Sequence, residues 1–115
     1  MNFPIKIRCT KAFLVELSES ERGAYEDDQQ IIEDGGSPCR PPESHTFLIA
    51  QRHKTVLEIR SPEEAVDVYY AVSSGTVQIY EKGFLNQCRR VANALSDIVD
   101  QHDPDLRRRW YPSGY

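Results

Sequence analysis

The chain of 115 residues has the length of one domain and a formal net charge of −4, from 18 acidic against 14 basic residues. At this size about two thirds of the unfolded surface can be buried, enough for a core without disulfide or metal staples, and no apolar run approaches the about 20 residues of a membrane span. Three cysteines at long spacings, Cys9, Cys39 and Cys88, argue against a disulfide framework and fit a reducing compartment. The start, Met1-Asn2-Phe3-Pro4-Ile5-Lys6, lacks the layout of a secretion signal, so a soluble cytoplasmic protein is expected.

Ile5, Ile7 and Cys9 alternate with Lys6, Arg8 and Thr10. That is the period of a half-buried strand, with Pro4 tolerated at its start. Phe13, Val15 and Leu17 alternate with Leu14 and Glu16, which predicts a second strand over 12–18 and a hairpin with the first. The competing reading is a helix from Thr10 onward, because Leu14, Leu17, Ala24, Tyr25, Ile31 and Ile32 also fit a helical period.

Ser18-Glu19-Ser20-Glu21 has capping-box form and predicts a weakly amphipathic helix over 19–34. This stretch carries Glu19, Glu21, Glu26, Asp27, Asp28, Glu33 and Asp34 against Arg22 alone. The spacing does not match a calcium-binding loop of the EF-hand kind, so the acids read as a solvated helix face. Gly35-Gly36 should end the helix, and the proline-rich stretch to Ser44 reads as a loop.

Phe47-Leu48-Ile49-Ala50 and Val56, Leu57, Ile59 are two apolar runs separated by polar Gln51-Arg52-His53-Lys54. They predict a second hairpin, or failing that one long bent strand, although the tight-turn dipeptides are missing.

Ser61-Pro62-Glu63-Glu64 is a dense helix start: Ser61 as cap, proline at the first position, and Glu64 completing a capping box. Ala65, Val66, Val68, Tyr69, Ala71 and Val72 make this helix mostly apolar, with Glu63, Asp67, Tyr70 and Ser74 on the wetter side. Ser73-Ser74-Gly75 should end it, and Thr76 should cap a longer helix to His102. Val77, Tyr80, Phe84, Cys88, Val91, Leu95, Ile98 and His102 recur in steps of three and four, widened by Leu85, Ala92 and Val99. Asp103-Pro104 should stop that helix. Arg107, Arg108 and Arg109 followed by Trp110 and Tyr111 then form a basic-aromatic tail.

The expected fold is α+β and two-layered. A small antiparallel sheet from residues 4–18 and 45–60 is covered by the C-terminal helices 62–73 and 76–102, with residues 1–103 as the single domain and 104–115 as its tail. The helical pair carries more apolar surface than so small a sheet needs. A non-catalytic interaction or accessory module follows, most simply a homodimer or a subunit bound to a protein partner, with Tyr69, Tyr70, Tyr80, Phe84, Trp110 and Tyr111 as interface anchors.

The second reading is a nucleic-acid-binding regulator. Lys6 and Arg8 share one strand face, and Arg52, Lys54 and Arg60 share another, so the faces would combine if the strands were neighbours. The glycine-containing turn between two helices is also found in helix-turn-helix DNA readers, but the second helix is longer and its start lacks basic residues.

A third reading is a cysteine-dependent enzyme using Cys39 with His45 or His53. The same three residues fall one ligand short of a zinc site and contain no close pair. No phosphate loop, dinucleotide fingerprint or histidine pair of a metalloprotease occurs. No cofactor and no metal are expected.

Overall fold

The computed structural model of the protein describes residues 3–37, 42–73 and 82–110. Its elements in order are β1 (Ile5–Arg8), α1 (Lys11–Glu33), a one-turn 3₁₀ helix (Pro42–Ser44), α2 (Thr46–Ile49), β2 (Val56–Ile59), α3 (Pro62–Ser73) and α4 (Lys82–Trp110). The fold is α+β: mostly helical, with a two-stranded antiparallel sheet and the C-terminal helices α3 and α4 packed along each other.

The register pairs Ile5 with Ile59, Lys6 with Glu58, Ile7 with Leu57 and Arg8 with Val56. Alternation along each strand therefore sends Ile5, Ile7, Leu57 and Ile59 to the core face and Lys6, Arg8, Val56 and Glu58 to the other. The core joins these residues to Phe13, Leu14 and Leu17 of α1, Ile49 of α2, Ala65, Val66 and Val68 of α3, and the stripe Phe84, Cys88, Val91, Leu95, Ile98 and Val99 of α4. Each fully buried Leu, Ile or Val contributes about 1.5–3 kcal/mol.

Residues 12–18 are helical, not a strand. The Thr10 hydroxyl accepts from the Phe13 N–H at 3.1 Å and caps α1, and the buried set Phe13, Leu14, Leu17, Ser18 follows helical spacing. A strand would have buried Val15 beside Phe13 and exposed Leu14. Instead Val15 is 52 % exposed and Leu14 only 2 %. The helix runs unbroken to Glu33, so Ser18-Glu19-Ser20-Glu21 lies inside it and starts nothing.

The paired glycines do end α1. Gly35 adopts φ +87°, the Gly36 N–H donates to the Ile31 carbonyl at 2.8 Å, and the Gly35 N–H donates to the Ile32 carbonyl at 3.0 Å. This is the Schellman arrangement, which needs a left-handed residue that glycine supplies without steric cost.

The apolar run at 47–50 is likewise a helical turn rather than a strand, so the second hairpin is not formed. Asp67 of α3 captures the first donors of α2, accepting from both the backbone N–H and the hydroxyl of Thr46 at 2.8 Å. A carboxylate at a helix N-terminus favours the helical turn. Asp67 itself is 4 % exposed, the reverse of the wet position expected for it.

The start of α3 matches its sequence: Ser61 Oγ accepts from the Glu64 N–H at 3.3 Å. On α4 the buried residues follow the expected stripe from Phe84 to Val99, while Asn86, Arg89, Asn93, Asp97 and Asp100 face water. Thr76, Val77 and Tyr80 lie outside the described residues.

The expected stop at Asp103-Pro104 does not occur. The helix carries Pro104 within it and continues to Trp110. The Tyr70 hydroxyl of α3 donates to Asp103 at 2.6 Å, holding α4 against its neighbour at the residue before the proline.

Candidate functional site

Three polar ties inside the molecule take up His45, His53 and Arg52. His45 is buried, with Nε2 at 2.6 Å from the Asp28 carboxylate. Tyr25 packs edge-on to the His45 ring and at a tilt against Phe47. This group pins the middle of α1 to the start of α2. His53 Nε2 lies 3.3 Å from Glu58 Oε1. Both histidines considered as bases for Cys39 thus have carboxylate partners, and Cys39 lies outside the described residues. Among the described residues no group of three or more His, Cys, Asp or Glu side chains is placed to hold a metal ion.

Arg52 is the third tie. Its two terminal nitrogens donate to the two Glu64 oxygens at 2.6 and 2.7 Å, and Nη1 also donates to the Glu58 carbonyl at 3.0 Å. Glu64 further accepts from the Arg60 N–H at 2.8 Å. The capping-box glutamate thus closes on the residue before Ser61, and a planar guanidinium reads it bidentately. The bond to Glu64 raises the basicity of Arg52 further. Arg52 belongs to this brace and not to an exposed basic face.

Two of the remaining cations share a face. β1 and β2 are neighbours, so Lys6 and Arg8 share a sheet face with Val56 and Glu58. Lys6, Arg8, Lys54 and Arg60 are exposed. Glu58 is shielded by Arg60, whose Nε donates to it at 2.8 Å. That bond first, and His53 second, hold its carboxyl below the usual range.

An open groove of about 340 Å³ lies between the first turns of α1 and the 50–54 segment. Leu14, Val15 and Ala50 supply apolar lining, with Lys11, His53 and Lys54 as basic groups. Its one carboxylate, Glu19, is in an ion pair with Arg22.

The far end of α1 has the opposite character. Ile31 and Ile32 are each 41 % exposed, amid exposed Glu26, Asp27, Glu33 and Asp34. With Val15 and Tyr70 they are the large hydrophobic residues left most open among the described residues. Of the apolar surplus expected on the helical pair, the described stripe of α4 from Phe84 to Val99 supplies none, being enclosed within one copy of the chain.

Of the expected interface anchors, Phe84 packs at a tilt against Phe13 in the core, 5.1 Å between ring centres. Tyr69 is half-buried against the core, and Tyr70 is exposed while bonded to Asp103. Tyr80, Tyr111 and the Trp110 side chain lie outside the described residues.

Cys9 and Cys88 are buried, unpaired thiols. Gln87 exchanges two hydrogen bonds with Thr10, at 3.1 and 3.0 Å, and Arg90 donates to the Arg8 carbonyl, so α4 grips the chain on both sides of Cys9. Burial raises the Cys9 thiol, and the charge of Arg90 opposes the rise. Burial, reinforced by Cys9, pushes Cys88 to about 11. Such thiols are poor nucleophiles at neutral pH.

No protein-family model, curated protein or solved structure matches the chain. Among the described residues no helix is long and apolar enough to cross a membrane.

Proposed function

We propose that the protein is a non-catalytic interaction module that assembles with a second copy of itself. The observation carrying this reading is the adjacent exposed pair Ile31 and Ile32 at the glycine-capped, acidic end of α1. Two neighbouring isoleucines half in water are a contact surface in waiting, because burying apolar area is favourable.

The surrounding carboxylates set the partner's chemistry. Like charges disfavour two such helix ends lying against each other, so the partner surface is basic. The chain carries basic surface of its own at the outer sheet face and the neighbouring 50–54 segment. The buried free thiols fit a reducing, cytoplasmic setting.

The test is size-exclusion chromatography with light scattering on the intact chain and on Ile31→Ser/Ile32→Ser. The expected result is a concentration-dependent mass above the monomer, lost in the double variant. A strict monomer at every concentration would overturn it.

Lys6 and Arg8 on the outer sheet face, with exposed Lys54 and Arg60 before and after β2, support a second reading, nucleic-acid binding. It requires retention on a nucleic-acid column that falls steeply with salt. No retention at low salt would dismiss it.

A further inference from the structure

We infer that the groove between the first turns of α1 and the 50–54 segment is the site that receives the acidic, isoleucine-bearing end of α1 from a second copy. The inference rests on the self-association reading above and adds the place of contact. The occupant follows from complementarity. The groove offers exposed Val15 above buried Leu14 and Ala50, with Lys11, His53 and Lys54 as its basic groups. The helix end offers Ile31 and Ile32 with Glu33 and Asp34 beside them. Val15 and the two isoleucines, all substantially exposed in one copy, would cover one another.

The groove's positive charge is open to a partner. Lys11 and Lys54 have no ion pair among the described residues, whereas Glu19 is matched by Arg22. Lys11 opens a helix with no acidic residue in its first turn, where a negative group would be favoured.

The contact is between copies and not within one. Val15 and Ile31 are separated by sixteen positions of one helix, about 24 Å at 1.5 Å per residue. The arrangement is head-to-tail, a donor end on one copy and an acceptor groove on the other.

Head-to-tail contacts can be tested by mixing. In one variant the donor is reversed, Glu33→Lys/Asp34→Lys. In the other the acceptor is reversed, Lys11→Glu/Lys54→Glu. Each keeps the other half of the contact intact. Thermal unfolding of both checks that they fold, and Lys11→Gln/Lys54→Gln replaces the acceptor variant if it does not. Sedimentation velocity is then run on the intact chain, on each variant alone and on their mixture. Each variant alone is expected to associate at least about tenfold more weakly than the intact chain, a loss of about 1.4 kcal/mol, and the mixture to regain association, because every reversed surface then meets the opposite charge on the other variant. Should the intact chain associate while the acceptor variant associates equally well, the groove is the wrong surface and the self-association reading survives. Should both variants be weakened but fail to combine, the head-to-tail arrangement is wrong. An intact chain that never associates overturns both readings.

Discussion

Asp67 accepts two hydrogen bonds from Thr46, one from its backbone N–H and one from its hydroxyl, both at 2.8 Å. These bonds join α3 to the first turn of α2 inside the protein. Truncating the acceptor leaves a buried N–H and hydroxyl without it, and hydrogen bonds to a charged group are worth about 1.5–3 kcal/mol. Asp67→Ala is therefore expected to destabilise the fold by about 3 kcal/mol in urea unfolding. Asp67→Asn, which keeps one acceptor oxygen, should cost less.

The Arg52–Glu64 brace is a shielded ion pair with bidentate geometry. Removing one partner strands the other, at a cost of about 3–5 kcal/mol for a buried pair. Arg52 keeps some access to water, so Arg52→Ala is expected near about 3 kcal/mol. Arg52→Lys should recover only part, because an ammonium cannot match both carboxylate oxygens. Denaturant titration of the two variants checks the order.

Cys88 predicts an alkaline weakness. Its value in the folded protein is raised from the ordinary 9.0 to about 11, by burial first and by Cys9 second. The folded state then holds a proton that the unfolded state has released. The resulting stability is complete below pH 9.0 and is lost as the pH rises towards about 11. Cys88→Ala, although less stable near neutrality from lost packing, should show a flatter stability profile over that interval. In a Cys39→Ser background, native-state thiol labelling near neutral pH should be slow for both remaining cysteines and accelerate only on unfolding.

Two glycines of α1 should respond in opposite directions. A Cβ at Gly23, in the middle of the helix, would meet nothing within 4 Å, so Gly23→Ala is expected to stabilise by up to about 1 kcal/mol. Gly35 holds φ +87° at the helix end, where Gly35→Ala should cost about 1–2 kcal/mol. Melting temperatures of the two variants should move apart.

Much of this fold was legible where the signal is local. The alternation at Ile5 and Ile7, the cap at Ser61, the stripe from Phe84 to Val99 and the glycine stop at 35–36 each depend on a few neighbouring residues. The failures have longer reach. Phe13, Val15 and Leu17 fit a strand as well as a helix, and the choice falls to Leu14, which packs in the core, while Val15 stays in water. Residues 46–49 turn helical because a carboxylate 21 positions away holds their first donors, and no local period announces that. The candidate surface was legible only in part. The neighbouring strands unite Lys6 and Arg8 with the polar face of β2, but Arg52 withdraws to Glu64. The exposed isoleucine pair was visible as part of an amphipathic pattern, yet its exposure is set by the packing of α1, which buries Phe13, Leu14, Leu17 and Ser18 near its start and leaves Ile31 and Ile32 open.

Association between copies through oppositely charged surfaces is decided by sedimentation equilibrium of the intact chain at low and high ionic strength. The expected result is a mass above the monomer at low salt that falls toward the monomer as salt screens the charges. A monomer at low salt and at the highest workable concentration would contradict it.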